Sequence, residues 1–295
     1  MNKLASVFVV LLCSSGMNAW GAEPPPVDQL EYQAPQVIQL KAQTLNTFNA
    51  PEADQGVAVD DQYFYPVDNA VIGKYRKDNG EFVARWTGTR TRPVRHINSC
   101  YARDQQLWCA NSNYSEIPIA SSVEVFTTDP LQPHKSHSLG LTDAGSLVWF
   151  EHWQDGFIAG FAHYSKKGGE SFKGSEYSSI VSYDDRWRRT GGWALPPSLV
   201  NMMAPYAASG GAIGPGGYLY LMGHDAPQMY VMGLPSMGPE LVHLATIDLQ
   251  AQGQAFSFDP AAAQQVWVID RHAKKVRQIL LPELKLTTDV AKPFR

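Results

Sequence analysis

GVAVDDQYFYPVDNAVIGKYRKDNGEFVARW, residues 56–86, reads as four short strands in succession. An apolar start at Gly56 runs into the turn pair Asp60-Asp61. An aromatic stretch follows and ends in the polar pair Asp68-Asn69. A second hairpin turns at Asp78-Asn79-Gly80, a sequence suited to positive backbone angles. Four short antiparallel strands make a unit the size of one propeller blade.

The pattern recurs at intervals of roughly 40 to 50 residues, the period expected of blades. The first hairpin returns as INSCYARDQQLWCANSN (97–113), SLVWFEHWQDGFIAGFAHY (146–164), GGAIGPGGYLYLMGHD (210–225) and QAFSFDPAAAQQVWVIDRH (254–272). The second returns as SSVEVFTTDPLQPHKSHSL (121–139), SSIVSYDDRWRRTGGWAL (178–195) and PQMYVMGLPSMGPELVHLATI (227–247). The last unit is one strand short, stopping at Pro282. The unpartnered segment VIQLKAQTL, residues 37–45, supplies the missing strand and closes the ring, which removes exposed strand edges. A strand from the stretch after Glu283 is the alternative closure, and a sixth blade hidden in a long connection is a second alternative. The expected fold is therefore all-β, a β-propeller of about five four-stranded blades. No long segment has helical periodicity.

The N-terminus has a different character. Lys3, the apolar run Leu4 to Cys13, and the small-residue site Ala19-Trp20-Gly21-Ala22 read as a secretory signal peptide over residues 1–22. The run is too short to span a bilayer, so no membrane anchor is expected in the mature chain. Residues 23–36 form an extended, Pro-rich lead, residues 37–282 the single propeller domain, and residues 283–295 a C-terminal tail. The protein is expected in the periplasm or the medium, as a monomer. Two cysteines survive cleavage. Pairing outward from a turn at Asp104-Gln105 sets Arg103 opposite Gln106, Tyr101 opposite Trp108 and Cys100 opposite Cys109. A cross-strand disulfide fits that register and an oxidising compartment; two buried thiols are the competing reading.

The formal net charge is −4 and charged residues are 18% of the chain, which leaves no basic footprint for nucleic acid. Three arginines in TRTRPVRH (89–96) stand alone, without a second basic patch. His134-Lys135-Ser136-His137 reads as exposed loop rather than a metal tract. No nucleophile elbow, zinc-protease helix, phosphate-binding glycine loop or zinc cysteine cluster is present.

The stretches CANSNYSEIPIASSVEVF (109–126), SGGAIGPGGYLYLMGHDAPQMYVMGLP (209–235) and GQAFSFDPAAAQQVWVIDR (253–271) resemble a family of exported bacterial β-propeller proteins of unsettled function, some of them labelled cycloisomerase-like. The resemblance runs from about Gln55 to Gln278 and implies the fold and export rather than an activity.

In a propeller the turns between second and third strands share one rim with the links between blades, and ring ligands bind at that mouth. The repeat places Asp68-Asn69, Asn111 to Asn113, His163-Tyr164, His224-Asp225 and Asp270-Arg271-His272 on this rim. The approaches to the innermost strands add Gln55, His96, Ser209 and Gln254. His224 and Asp225 can cooperate where the chain turns between Gly223 and Pro227. Arg271 with Asp270 suits an anionic group, and Asn111 and Asn113 suit a hard cation. Each also has a structural reading as turn or inter-blade chemistry. The leading functional reading is a binder of a small polar ligand. The alternative is a metal-assisted lactonase, hydrolase or isomerase, with a central divalent cation as cofactor and His224 or His163, with Asp225, as proton-moving groups. A protein-interaction scaffold is the third.

Overall fold

The computed structural model of the protein describes residues 34–89, 93–166, 168–286 and 291–295. The expected signal peptide and most of the extended lead lie outside these residues. Two strands come first, β1 (Ile38–Lys41) and β2 (Gln43–Asn49). Blade one holds β3 (Gly56–Val59), β4 (Tyr63–Asp68), β5 (Val71–Arg76) and β6 (Phe82–Thr87). Blade two holds β7 (His96–Arg103), β8 (Gln106–Ser112), β9 (Ala120–Thr128) and β10 (Leu131–Leu141). Blade three holds β11 (Ser146–Trp153), β12 (Gly156–Ala162), β13 (Ser179–Asp184) and β14 (Arg189–Ala194). A short helix α1 (Pro197–Met203) leads to blade four, β15 (Gly210–Ile213), β16 (Leu219–Met222), β17 (Gln228–Pro235) and β18 (Val242–Asp248). Blade five is β19 (Ser257–Asp259), β20 (Ala262–Asp270) and β21 (Lys275–Leu280), completed by β2. A short β22 (Ala291–Lys292) ends the chain. The fold is a five-bladed β-propeller.

The inner strands of the blades are buried on both faces, and alternation sends successive side chains to different neighbours. In β16, Leu219 and Leu221 join the core between blades three and four, while Tyr220 and Met222 join the one between four and five. Trp267 and Ile269 meet Val57 and Phe64 between blades five and one. Tyr65 and Val67 meet Leu107 and Phe126 between one and two, and Val123 and Val125 meet Phe150 and Phe161 between two and three. Five inter-blade cores thus close the ring. Each fully buried Leu or Phe contributes about 1.5–3 kcal/mol relative to exposure.

Closure differs in detail from the single strand expected at residues 37–45. β2 pairs antiparallel with β21, Gln43 opposite Leu280 through Asn49 opposite Lys275. β1 instead adds a parallel fifth strand to β18, Ile38 opposite Ala245. The chain crosses between blades at buried Ala42, whose N–H donates to the Asp248 carbonyl at 3.0 Å. Ile38 and Leu40 pack on the core between blades four and five, which explains the switch. The stretch after Glu283 does not close blade five. β22 pairs with the end of β17, and Phe294 is buried beside Trp153 and Trp193, its N–H bonded to the Gly217 carbonyl at 2.7 Å.

The Cys100–Cys109 disulfide spans the β7–β8 hairpin with the expected register and a Cα–Cα distance of 4.0 Å. Asp104 and Gln105 both have positive φ, as a two-residue hairpin turn requires. His134 to His137 form part of the exposed edge strand β10 rather than a loop, because β9 offers a partner along its length. The axis is filled. Trp149 is 1% exposed and lies against Gly160 and Gly211, where a Cβ would come within 2.2 and 2.3 Å of the indole. Innermost strands leave a void of about 10 Å³ among Ser99, Trp149, Glu151 and Gly211, at most one water. The expected axial channel is therefore a bowl with a closed floor.

Candidate functional site

The bowl at the mouth encloses about 400 Å³. Gln55 and Asp54 reach it from the link before β3, and Gln254 from the link before β19. His96 comes from the start of β7, Tyr114 and Ser115 from the β8–β9 loop, and Tyr164 from just after β12. Tyr206 follows α1, and Asn69, His224 and Arg271 stand in the turns after β4, β16 and β20. All five blades contribute, and every lining side chain can make a hydrogen bond.

One wall is a run of rings. His96 and Tyr114 have centroids 5.2 Å apart, Tyr114 and Tyr164 5.5 Å, Tyr164 and Tyr206 5.3 Å. Tyr206 then stacks on His224 at 4.0 Å. Burial pushes the Tyr164 phenol up to about 12, against a smaller downward pull from Ser209, so it is a neutral hydrogen-bond donor near pH 7.

The facing side carries the charge. Lys274 Nζ lies 2.5 Å from Asp54 Oδ1, and the same oxygen is 3.6 Å from Arg271 Nε. Arg271 NH1 lies 3.1 Å from His224 Nε2, while His224 Nδ1 lies 2.6 Å from Asp225 Oδ1. A guanidinium only donates, so Nε2 accepts, and Nδ1–H donates to Asp225. His224 is thereby held in one neutral tautomer. Burial keeps its pKa below the ordinary 6.5; Asp225 opposes this and Arg271 assists it.

Of the residues picked out on the rim, Gln55, Asn69, His96, Tyr164, His224, Gln254 and Arg271 converge in the bowl. The others stand elsewhere for identifiable reasons. Asn111 is 3% exposed; its Oδ1 accepts from the N–H groups of Arg95 and His96, and its Nδ2 donates to Pro93 O and Ser122 Oγ. With both donors and both lone pairs used, it has no capacity left for a cation and instead sets the position of His96. Asn113 accepts from Ala120 N–H and donates to Pro118 O, closing the loop that presents Tyr114. Asp270 takes Arg277 at 2.6 Å and the Ala273 N–H, pinning the turn that carries Arg271. Asp68 accepts from the Asn69 amide at 2.5 Å. His163 is 1% exposed, with Nε2 on the Asp143 carbonyl at 3.1 Å. It points away from the mouth because Tyr164, next in an extended chain, points into it. Ser209 is buried behind Tyr164, and Asp225 reaches the site only through His224, on the edge of a separate hollow beside Met202 and Met203.

Asp54, Tyr114, Ser115 and Tyr206 are the members that sequence reasoning passed over. Tyr114 and Tyr206 resemble packing aromatics, and only their position in rim loops, rather than in strands, separates them. Among the described residues no three His, Cys, Asp or Glu side chains come together as a metal-binding set. Among the same residues no helix is long and apolar enough to cross a membrane.

No protein-family model matches the chain, and no curated protein matches it in sequence. Among solved structures, a chain of the mitotic checkpoint complex aligns at 8% identity and a TM-score of 0.46, covering 86% of this chain and 99% of that one. The Neurospora crassa Pan2 WD40 domain aligns at 9% identity and 0.42, covering 86% and 100%. U3-55K aligns at 12% and 0.44, covering 76% and 80%. The fold itself rests on the strand topology described above.

Proposed function

We propose that the protein is an exported propeller that binds a small polar ligand in the bowl at the mouth of the ring. The observation that carries this reading is the convergence of eleven hydrogen-bonding side chains, from all five blades, above a closed axis. Loops of separate blades share no sequence period that would bring polar groups together for packing. Concave polar linings of this size suit small ligands. The Cys100–Cys109 disulfide and the apolar N-terminal run support export.

Calorimetric titration with a panel of small polyols, sugars, amino acids and hydroxy acids tests the reading. Arg271→Ala and His224→Ala are each expected to weaken binding by about tenfold or more, since each removes a hydrogen bond to a polar or charged group. Undiminished binding in both variants overturns it.

The His224–Asp225 pair also favours a second reading, a proton-transfer enzyme in the same bowl, because a carboxylate orients an imidazole whose other nitrogen faces the cavity. Arg271 occupies that nitrogen, so catalysis would require its displacement. Ligand recovered chemically unchanged after prolonged incubation, followed by NMR, separates binder from enzyme.

A further inference from the structure

Among the described residues that line the bowl there is no Ala, Val, Leu, Ile or Met, and the broad apolar surfaces are those of rings. The opposite side offers two primary amides, Gln55 and Gln254, and one guanidinium, Arg271. Ring surfaces suit the C–H faces of a cyclic polyol, amides pair with neighbouring hydroxyls, and a guanidinium takes an oxyanion. Charge in the bowl is unevenly committed. Asp54 is held closely by Lys274 and only loosely touches Arg271, whose firmer contact is a neutral imidazole. Among the described residues Arg271 meets one carboxylate, Asp54 at 3.6 Å, on an oxygen that Lys274 already holds at 2.5 Å, and it faces a cavity large enough for a monosaccharide.

Resting on the reading of the mouth as a ligand site, we propose that its ligand is a sugar acid, bound with its carboxylate between Arg271 and His224. The carboxylate takes the place of Nε2 as the acceptor for the Arg271 guanidinium. An Nε2 lone pair facing a carboxylate would repel it, whereas Nε2–H donates to it. His224 thus takes up one proton from solvent as the ligand binds, and the imidazolium lies between two carboxylates, the ligand's and that of Asp225. The groups facing His224 agree with this. Asp225 adjoins it in the same turn, Arg271 approaches from the β20–β21 turn, and Asp54, on the bowl's lining, stands 3.6 Å from Arg271 with Lys274 at 2.5 Å meeting its charge. Tyr206 covers one ring face, and Tyr164, a neutral donor in this range, stands edge-on. In the free protein, burial and Arg271 oppose protonation, so the ligand supplies the missing negative charge.

Isothermal titration with D-glucuronate, D-glucose and acetate, in two buffers of different ionisation heat and between about pH 6 and 8, tests this. Glucuronate is expected to bind at least about tenfold tighter than either of the others, through the charge-assisted pair and the ring together. Its affinity is expected to rise by up to about tenfold for each unit of pH lowered, with heats that depend on the buffer and report proton uptake approaching one. His224→Gln cannot take up the proton and turns an acceptor towards the ligand carboxylate, so it is expected to weaken glucuronate binding by about tenfold or more and to flatten the pH dependence. Glucose binding as tightly as glucuronate overturns the acid while leaving the mouth a ligand site. Acetate binding as tightly overturns the sugar. Glucuronate binding without proton uptake overturns the carboxylate's placement against His224. Binding of none of the three overturns the inference, and the broader panel then decides the mouth on its own.

Discussion

Glu151 and His152 are neighbours on β11 with opposite responses to pH. Glu151 accepts from the Ile213 N–H at 2.8 Å beside the closed axis, and burial pushes its pKa to about 7. The folded protein therefore holds a proton that the unfolded chain has lost between about pH 4.5 and 7, and stability falls as pH rises through this window. Glu151→Gln removes the ionisation. It is expected to gain up to about 3 kcal/mol over the wild type above pH 7 and nothing below about pH 4.5, measured by urea unfolding at each pH. His152 lies under Tyr101, Nδ1 to phenol oxygen 2.6 Å, and burial pulls its pKa down to about 4. Here the unfolded chain binds the extra proton, so stability is lost as pH falls from about 6.5 to 4. Together the two residues favour mildly acidic to neutral conditions. At the same scale, Gly211→Ala drives a methyl into the Trp149 indole and is expected to cost about 1–3 kcal/mol by the same measurement.

The β7–β8 hairpin shows how far an element can be read from its own residues. A two-residue turn sets the register, the register sets Cys100 against Cys109, and the structure has that pairing. The bridge closes a small loop, nine residues apart in sequence, so its loss is expected to cost about 2–3 kcal/mol in a Cys100→Ala/Cys109→Ala double variant, seen as a lower unfolding midpoint. Other elements depended on what they pack against. Residues 37–45 read as one strand, yet the chain divides at Ala42 between two blades because Ile38 and Leu40 find the core between blades four and five. The C-terminal tail likewise depends on its neighbours, with Phe294 anchored among Trp153, Trp193 and Gly217. Deleting Pro293 to Arg295 is expected to lower stability by about 2–4 kcal/mol, as for other lost buried aromatics, measured by denaturant unfolding.

At the scale of the molecule, closure joins the two ends of the propeller sequence. β2 covers the outer edge of β21 and so completes blade five. A chain starting at Ala50 would leave that edge bare, an open template for pairing with another chain. Such a truncation is expected to elute from size exclusion as oligomer or aggregate, and a monomeric, stable product would show that the ring does not need this strand. The closed axis has a functional consequence on the same scale. The bowl opens on one face of the ring, and the innermost strands beneath it leave a void of only about 10 Å³ beside Trp149.

Blade number, strand order within each blade and the disulfide register follow from local chemistry: alternation, turn residues and a period of roughly one blade. These are properties of neighbouring residues, and a sequence displays them directly. Which rim groups face the bowl is a property of loops from different blades. Tyr164 and His163 are adjacent, yet one lines the cavity and the other is sealed under a loop carbonyl. Asn111, with the right chemistry for a ligand, spends all of its hydrogen bonds on Pro93, Arg95, His96 and Ser122. Outside regular strands no periodicity dictates side-chain direction. It is set by hydrogen bonds and ring contacts across the ring, and these exist only once all five blades have come together.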